Sequence, residues 1–139
     1  MSMRILIVDP DWHFVRQARE YLESRGDFVA CEQKPDGTLA RVVRWRPDVV
    51  MISAELSEVW GGDVLRDLGK VNPAPAVILT AGLDRFDKAW QAWQRGGHEV
   101  LFKPVLHPSE LHVTIISALG NALCPRSRQV VPQAAAVPA

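Results

Sequence analysis

Short apolar runs alternate with helix-like patterns five times along this chain, and this alternation restricts its fold more than any other feature. The runs are Arg4–Val8, Phe28–Glu32, Asp48–Ile52, Ala76–Leu79 and Val100–Phe102. Between and after them, apolar residues recur at spacings of three and four, as on one face of a helix. Strands that alternate with helices predict a parallel sheet with helices on both faces, in three layers.

Cap residues indicate where some of the helices begin. Asp11 is placed to cap the first helix, and Asp84 is placed to cap the fourth. The last helix opens at Pro108 or Ser109. After the third strand we expect a loop, in which Glu55 is a solvated charge.

Composition limits the classes of partner. Lys+Arg and Asp+Glu each number 16 in 139 residues, so the formal net charge is zero. No overall attraction to nucleic acid or to anionic membranes follows, and we expect neither as a partner. The chain also lacks an apolar run of about 18 residues, so we expect a cytoplasmic protein without a membrane span.

The chain divides into two parts by composition. Residues 1–123 carry the strand and helix patterns and are predicted to form one domain. Residues 124–139 are rich in Pro and Ala and have no sustained period, which predicts a flexible tail or linker. Neither Cys31 and Cys124 nor the four histidines have the spacing of a metal site, so we expect reduced thiols and no bound metal.

Polar residues follow the predicted strands at the edge where chemistry is usually placed. In open parallel sheets, ligands bind outside the carboxyl ends of the strands. Asp9 follows ILIV, Ser53 follows PDVVMI, Thr80 follows AVIL, and Lys103 follows EVLF. These four side chains are therefore expected to share one edge of the sheet.

This set of strand ends resembles the receiver domain of two-component response regulators, over about residues 4–123. The resemblance implies a flavodoxin-like (βα)5 fold whose sheet has the order 2-1-3-4-5. In this family an aspartate that ends the third strand accepts a phosphoryl group, and two adjacent acids after the first strand help to bind Mg²⁺. A Thr or Ser and a Lys contact the phosphoryl oxygens, which here correspond to Thr80 and Lys103.

The chain departs from that pattern at three positions. Pro10 stands in place of the second acid, Ser53 in place of the phosphoacceptor, and Val100 in place of an aromatic residue on the fifth strand. Asp9 and Lys103 then sum to a charge of about zero, so we expect them to pair with each other and Mg²⁺ binding to be weak or absent. The site, comprising Asp9, Pro10, Ser53, Thr80 and Lys103, is therefore predicted to be degenerate.

Three functions remain open at this stage. The first is an atypical receiver that signals without phosphorylation, as a protein-interaction module and not as an enzyme. The second is a flavodoxin-like domain or enzyme that binds a small ligand in the same pocket. The third is a receiver phosphorylated on Ser53, which is disfavoured because a serine hydroxyl needs an activating base and no histidine follows a strand.

The resemblance also implies a protein-binding surface. The fourth helix, fifth strand and fifth helix form the usual docking and dimerisation face of the family, and Trp90, Val100 and Phe102 are its candidates here. Its partners would be a histidine kinase, an output domain or a second copy of the chain. Among the other tryptophans, Trp93 is expected in the core, and Trp60 is expected in a loop that covers the pocket above Ser53.

Overall fold

A computed structural model describes residues 2–34, 36–59 and 64–123 of the chain. Five strands form one sheet of order β2-β1-β3-β4-β5, and every neighbouring pair is parallel. The strands are β1 Arg4–Val8, β2 Phe28–Glu32, β3 Val49–Ser53, β4 Ala76–Gly82 and β5 Glu99–Lys103. The helices are α1 Trp12–Ser24, α2 Thr38–Trp45, α3 Ala54–Val59, α4 Val64–Lys70, α5 Phe86–Arg95 and α6 Ser109–Leu123. The predicted sheet order is confirmed.

Alternate residues of the strands fill two separate cores, one on each face of the sheet. Ile5 and Ile7 pack under α1 and α6, whereas Leu6 and Val8 pack under α2, α4 and α5. All four are completely buried. A strand covered on both faces must be apolar throughout, which is why the alternation of strands and helices was visible in the sequence. Trp93 lies in the second core, as predicted.

The predicted strands agree with the structure in their interiors and differ at their ends. β1 and β2 have the predicted bounds, and β3 begins one residue later and includes Ser53. β4 continues to Gly82 because Ala81 and Gly82 pair with Phe102 and Lys103 of β5. Pairing with a neighbour thus extends β4 beyond its apolar run.

Two local predictions were wrong. The chain does not enter a loop after β3, because α3 begins at once and Glu55 lies in its first turn. Asp84 does not cap α5 either. It lies in a 3₁₀ turn, Leu83–Arg85, and Arg85 precedes α5 without a capping side-chain bond. Good helix formers follow β3 directly, which explains why a helix replaces the predicted loop. Asp84 lies inside the 3₁₀ turn, which explains why it does not cap α5.

Some predictions concern parts of the chain that the structure does not describe. Trp60 and the 124–139 segment lie outside the described residues, so the covering loop and the tail remain predictions. None of the helices that are described has the length and apolar character needed to cross a membrane.

Candidate functional site

Asp9 is the centre of the candidate site and is fully buried just beyond the end of β1. The Thr80 hydroxyl, on β4, donates to its Oδ2 atom over 2.7 Å. The backbone N–H of Asp11 donates to its Oδ1 atom over 2.9 Å. Two separate elements of the fold therefore supply donors to one buried carboxylate, as burial of a charge requires.

Lys103 supplies the remaining donors to Asp9 from the end of β5. Its ammonium lies 3.2 Å from Oδ1 and 3.0 Å from Oδ2 of Asp9. The lysine side chain is 14% exposed, and its ammonium also lies 5.3 Å from the centre of the Phe14 ring. Each carboxylate oxygen of Asp9 thus accepts two hydrogen bonds from within the protein, which fills its usual acceptor capacity.

Asp11 combines the predicted capping role with a second contact. Its Oδ1 atom accepts from the Phe14 backbone N–H over 3.1 Å and caps α1. Its Oδ2 atom lies 3.5 Å from the Lys103 ammonium. The expected charge sum of about zero therefore needs correction, because one lysine is shared by two carboxylates and the three groups sum to −1.

Ser53 lies beside this cluster without joining it. The residue is 4% exposed and pairs in register with Thr80 across β3 and β4. Pro10, which follows Asp9, is exposed, and its side chain has no group that could ligate a cation. Two of the three positions at which the resemblance implies a carboxylate are thus occupied by Pro10 and Ser53.

The cluster forms part of the wall of an open pocket of about 540 Å³ at the carboxyl edge of the sheet. A second ion pair lines the pocket, in which Arg85 Nε lies 3.5 Å from Glu55 Oε1. Both side chains are more than 40% exposed, whereas the Nε atom itself is shielded from water and makes no hydrogen bond. The pair is therefore a loose contact that contributes little to stability. Arg85 was not predicted as a site residue, because it lies in the 3₁₀ turn and only the fold brings it to Glu55.

The site offers fewer carboxylates at the expected positions than the resemblance implies for Mg²⁺. Mg²⁺ requires oxygen ligands in near-octahedral geometry. Among residues 2–34, 36–59 and 64–123, no three His, Cys, Asp or Glu side chains are grouped so as to hold a metal. The Lys103 ammonium instead lies against both oxygens of Asp9, which is the acid expected to bind the ion.

A buried polar contact at the opposite end of β5 was not predicted. Glu99 is 4% exposed, and its Oε2 atom accepts from the Ser117 hydroxyl of α6 over 2.6 Å. Its Oε1 atom accepts from the Val100 backbone N–H over 3.0 Å. The contact holds α6 against β5 and lies far from Asp9, so it belongs to the scaffold of the predicted binding face.

The predicted binding face needs one correction. Val100 is 2% exposed and belongs to the core, because its position on β5 turns the side chain inward. Phe102 is half-buried and stacks on Phe86 of α5, with ring centroids 6.0 Å apart and planes at 7°. Trp90 is half-buried against the same core. Phe86, at 45% exposure, thus presents more apolar surface than the predicted Val100 does.

Comparison with known proteins identifies this arrangement. The sequence matches the family model described as "Response regulator receiver domain" over residues 5–116. Transcriptional regulatory protein KdpE of Mycobacterium tuberculosis is 32% identical over 100 residues, covering 72% of this chain and 44% of that protein. Protein-glutamate methylesterase/protein-glutamine glutaminase 1 of Myxococcus xanthus is 30% identical over 107 residues, covering 76% of this chain and 30% of that protein.

A solved structure shows the same fold. A CheY-like response regulator receiver domain protein from Methanospirillum hungatei superposes with a TM-score of 0.73 at 23% identity, covering 88% of this chain and 98% of that one. The two curated relatives are longer, and this chain spans less than half of either. The family match, the sheet order and the strand-end cluster agree, and the chain therefore belongs to the response regulator receiver domain family.

Proposed function

We propose that this receiver domain works without phosphorylation, as a protein-interaction module of a two-component pathway in the cytoplasm. One observation carries the proposal: the buried Asp9 carboxylate accepts four hydrogen bonds from Asp11, Thr80 and Lys103. A metal ion at Asp9 would have to displace some of these donors, and the side chains of Pro10 and Ser53 offer it no carboxylate in exchange. Phosphoryl transfer to this site would then lack the cation that neutralises the charge on the phosphoryl group.

The serine at the end of β3 supports the same proposal. A serine hydroxyl is a weak nucleophile until a base removes its proton. None of the described residues that line the pocket is a histidine. Asp9, the buried carboxylate just beyond the end of β1, already accepts four hydrogen bonds. We therefore propose that Ser53 accepts no phosphoryl group and that the chain has no enzymatic activity.

The interaction role rests on the surface formed by α5, β5 and α6. Phe86, Val113 and Ile116 on its two helices are exposed at 45%, 64% and 53%. A shallow groove of about 350 Å³ lies between β5 and α6 and is bordered by Phe102 and Val113. Exposed apolar side chains around a groove are typical of protein-binding sites. We propose that a histidine kinase or an output domain docks on this face.

Phosphorylation can be tested directly on the whole chain. The protein is incubated with MgCl₂ and acetyl phosphate, and its intact mass is recorded over time. Beryllofluoride with Mg²⁺ is added to a second sample while tryptophan fluorescence is followed. We expect neither a mass gain of one phosphoryl group nor a saturable change in fluorescence.

The control is a phosphorylatable receiver protein in the same tube, which shows that the reagents are active. A phosphoryl group that maps to Ser53, or to any other residue of the pocket, would contradict the proposal. Saturable Mg²⁺ binding in isothermal titration calorimetry would also contradict it. Saturable binding of a flavin or another small molecule in the pocket would favour a ligand-binding function instead.

A further inference from the structure

The strand β2 forms one edge of the sheet and lies at the bottom of a wide groove. It pairs with β1 on one side only. The groove has a volume of about 680 Å³ and runs between α1 and α2 along the outer side of the strand. Phe28, at 60% exposure, and Trp12, at 54%, are among its exposed aromatic residues. This groove is separate from the α5–β5–α6 face.

The backbone of β2 has hydrogen-bonding groups that face the groove. The Phe28 N–H donates to Met3 and the Glu32 carbonyl accepts from Asp9, so these residues direct their backbone groups toward β1. In a parallel ladder the direction alternates along the strand. Val29 and Cys31 therefore direct their N–H and C=O groups outward, where the sheet has no further strand.

The edge lacks the features that usually block pairing with another strand. Natural edge strands carry lysine, proline or a bulge to prevent such pairing. The sequence of β2, FVACE, has neither lysine nor proline, and it pairs in continuous register with β1. The β2 edge is thus open to one more strand.

The charges around the groove favour a second copy of the chain as its occupant. Its lining includes three cationic side chains, those of Arg4, Arg19 and Arg41, and two anionic ones, those of Glu23 and Glu32. Asp9 also borders the groove, but it is fully buried and paired with Lys103. A surface with charges of both signs and a small net charge, here +1 from three arginines and two glutamates, repels an identical surface only weakly, and it offers no strong attraction to a highly charged partner.

We propose that two copies of this protein dimerise by antiparallel pairing of their β2 strands about a two-fold axis at Ala30. Val29 of each copy then exchanges two backbone hydrogen bonds with Cys31 of the other, which gives four bonds in all. Ala30 faces its own counterpart, and Phe28 lies opposite Glu32 of the other copy. The five-stranded sheet of each copy becomes half of a ten-stranded sheet.

The proposed dimer leaves the α5–β5–α6 face free, because β5 is at the opposite edge of the sheet. A partner that docks on α5, β5 and α6 can therefore bind each half of the dimer. Dimerisation is independent of the proposed function, and either proposal can fail without the other. The contact surface is small, so we expect a dissociation constant on the order of tens of micromolar.

Sedimentation equilibrium of the full chain between micromolar and millimolar concentration tests the dimer. We expect Val29→Pro to weaken association by at least about tenfold, because proline removes an outward N–H that β1 does not use. Val29→Ala is the matched control, since it shortens the same side chain but keeps the N–H, and it should still dimerise. Circular dichroism should show that both variants remain folded.

The register of the proposed β2–β2 pairing can be tested with an engineered disulfide. The two native cysteines are first replaced, by Cys31→Ser and Cys124→Ser, so that only the new cysteine can react. Residues in a directly opposed, non-hydrogen-bonded pair have Cα atoms about 4.5 Å apart, which suits a disulfide. Ala30→Cys should therefore form a covalent dimer under mild oxidation. Ala40→Cys, an exposed position on α2, is the control and should stay monomeric.

Three outcomes would overturn the proposal. The first is a monomer at every concentration. The second is a dimer that Val29→Pro does not weaken, which would place the interface elsewhere, as on the α5–β5–α6 face. The third is an Ala30→Cys protein that crosslinks no faster than the Ala40→Cys control.

Discussion

A buried carboxylate is costly unless the surrounding protein replaces the water it loses, and Asp9 shows how completely this can be done. Burial of a single charge is strongly unfavourable, whereas a buried pair with further hydrogen bonds is tolerated. Asp9 has Lys103 as its counter-charge, and Thr80 and the Asp11 backbone as additional donors. The lysine therefore has a structural function that does not depend on any phosphoryl group.

Removal of the lysine charge should destabilise the fold. We expect Lys103→Met to lower the free energy of unfolding by about 3–5 kcal/mol, because it leaves Asp9 buried without a counter-charge. Adding Asp9→Asn to that variant should recover much of the lost free energy of unfolding, since no unpaired buried charge then remains. Urea unfolding followed by circular dichroism measures both values.

The control for this pair is Lys70→Met, at an exposed position on α4. It should change the free energy of unfolding by less than about 0.5 kcal/mol. If Lys103→Met were as mild as Lys70→Met, the ion pair with Asp9 would contribute little, and the argument for a closed site would fail.

At the scale of elements, contacts between a strand and a helix fix the positions that the sequence pattern leaves undefined. Glu99 begins β5 although glutamate disfavours strands, because Ser117 of α6 satisfies its buried carboxylate. Asn121 of α6 also donates to the His98 carbonyl over 2.7 Å, just before the strand. These contacts align α6 along β5, and they set the groove at which we propose that a partner docks.

Ser117→Ala should destabilise the protein through this contact. The change leaves one oxygen of a buried carboxylate without its donor, so we expect a loss of about 1–3 kcal/mol in the free energy of unfolding. Thr114→Ala on the same helix removes an exposed hydrogen bond to the Glu110 carbonyl and is the control. The control should cost less than about 0.5 kcal/mol, and equal effects of the two changes would contradict this role for Ser117.

The sequence predicted the elements better than it predicted their ends. Apolar runs identified the interiors of all five strands, because strands buried on both faces must be apolar. The ends of β4 and β5 were missed because pairing across the sheet, and not composition, extends them through Gly82 and Lys103.

The candidate site was predicted in part for a similar reason. Strand ends alone place Asp9, Thr80 and Lys103 at one edge, and the structure brings them into contact. The contact of Lys103 with Asp11 depends on the length of the lysine side chain. The Glu55–Arg85 pair depends on the turn after β4. Neither the periodicity of the sequence nor its spacing carries that information.

At the scale of the whole molecule, the receiver fold is retained although the residues for its chemistry are incomplete. The sheet order is that of the family. The resemblance implies acids at the positions of Pro10 and Ser53, and neither position lies in the two cores. Fold and chemistry therefore depend on different residues, and the chemistry can be rebuilt without changing the cores.

This separation can be tested by restoring the missing acids. Ser53→Asp alone should not take up a phosphoryl group from acetyl phosphate and Mg²⁺, because Pro10 still leaves the metal site incomplete. Pro10→Asp combined with Ser53→Asp supplies two further carboxylates, and we expect this double variant to bind Mg²⁺ and to gain one phosphoryl group by intact mass. Pro10→Asn with Ser53→Asn is the uncharged control, and efficient transfer in the Ser53→Asp single variant would contradict the account.

The contact between Lys103 and Asp9 has a consequence for the kind of message that such a protein can carry. A protein that switches between a phosphorylated and an unphosphorylated state reports how recently its upstream enzyme acted. A protein that keeps one conformation carries no such information about time. Under the proposed function, what it conveys is its own abundance, so synthesis and degradation become the steps at which a cell adjusts the signal. Pairing of two copies would make the response steeper, because the number of pairs grows with the square of the amount of protein when most copies are single.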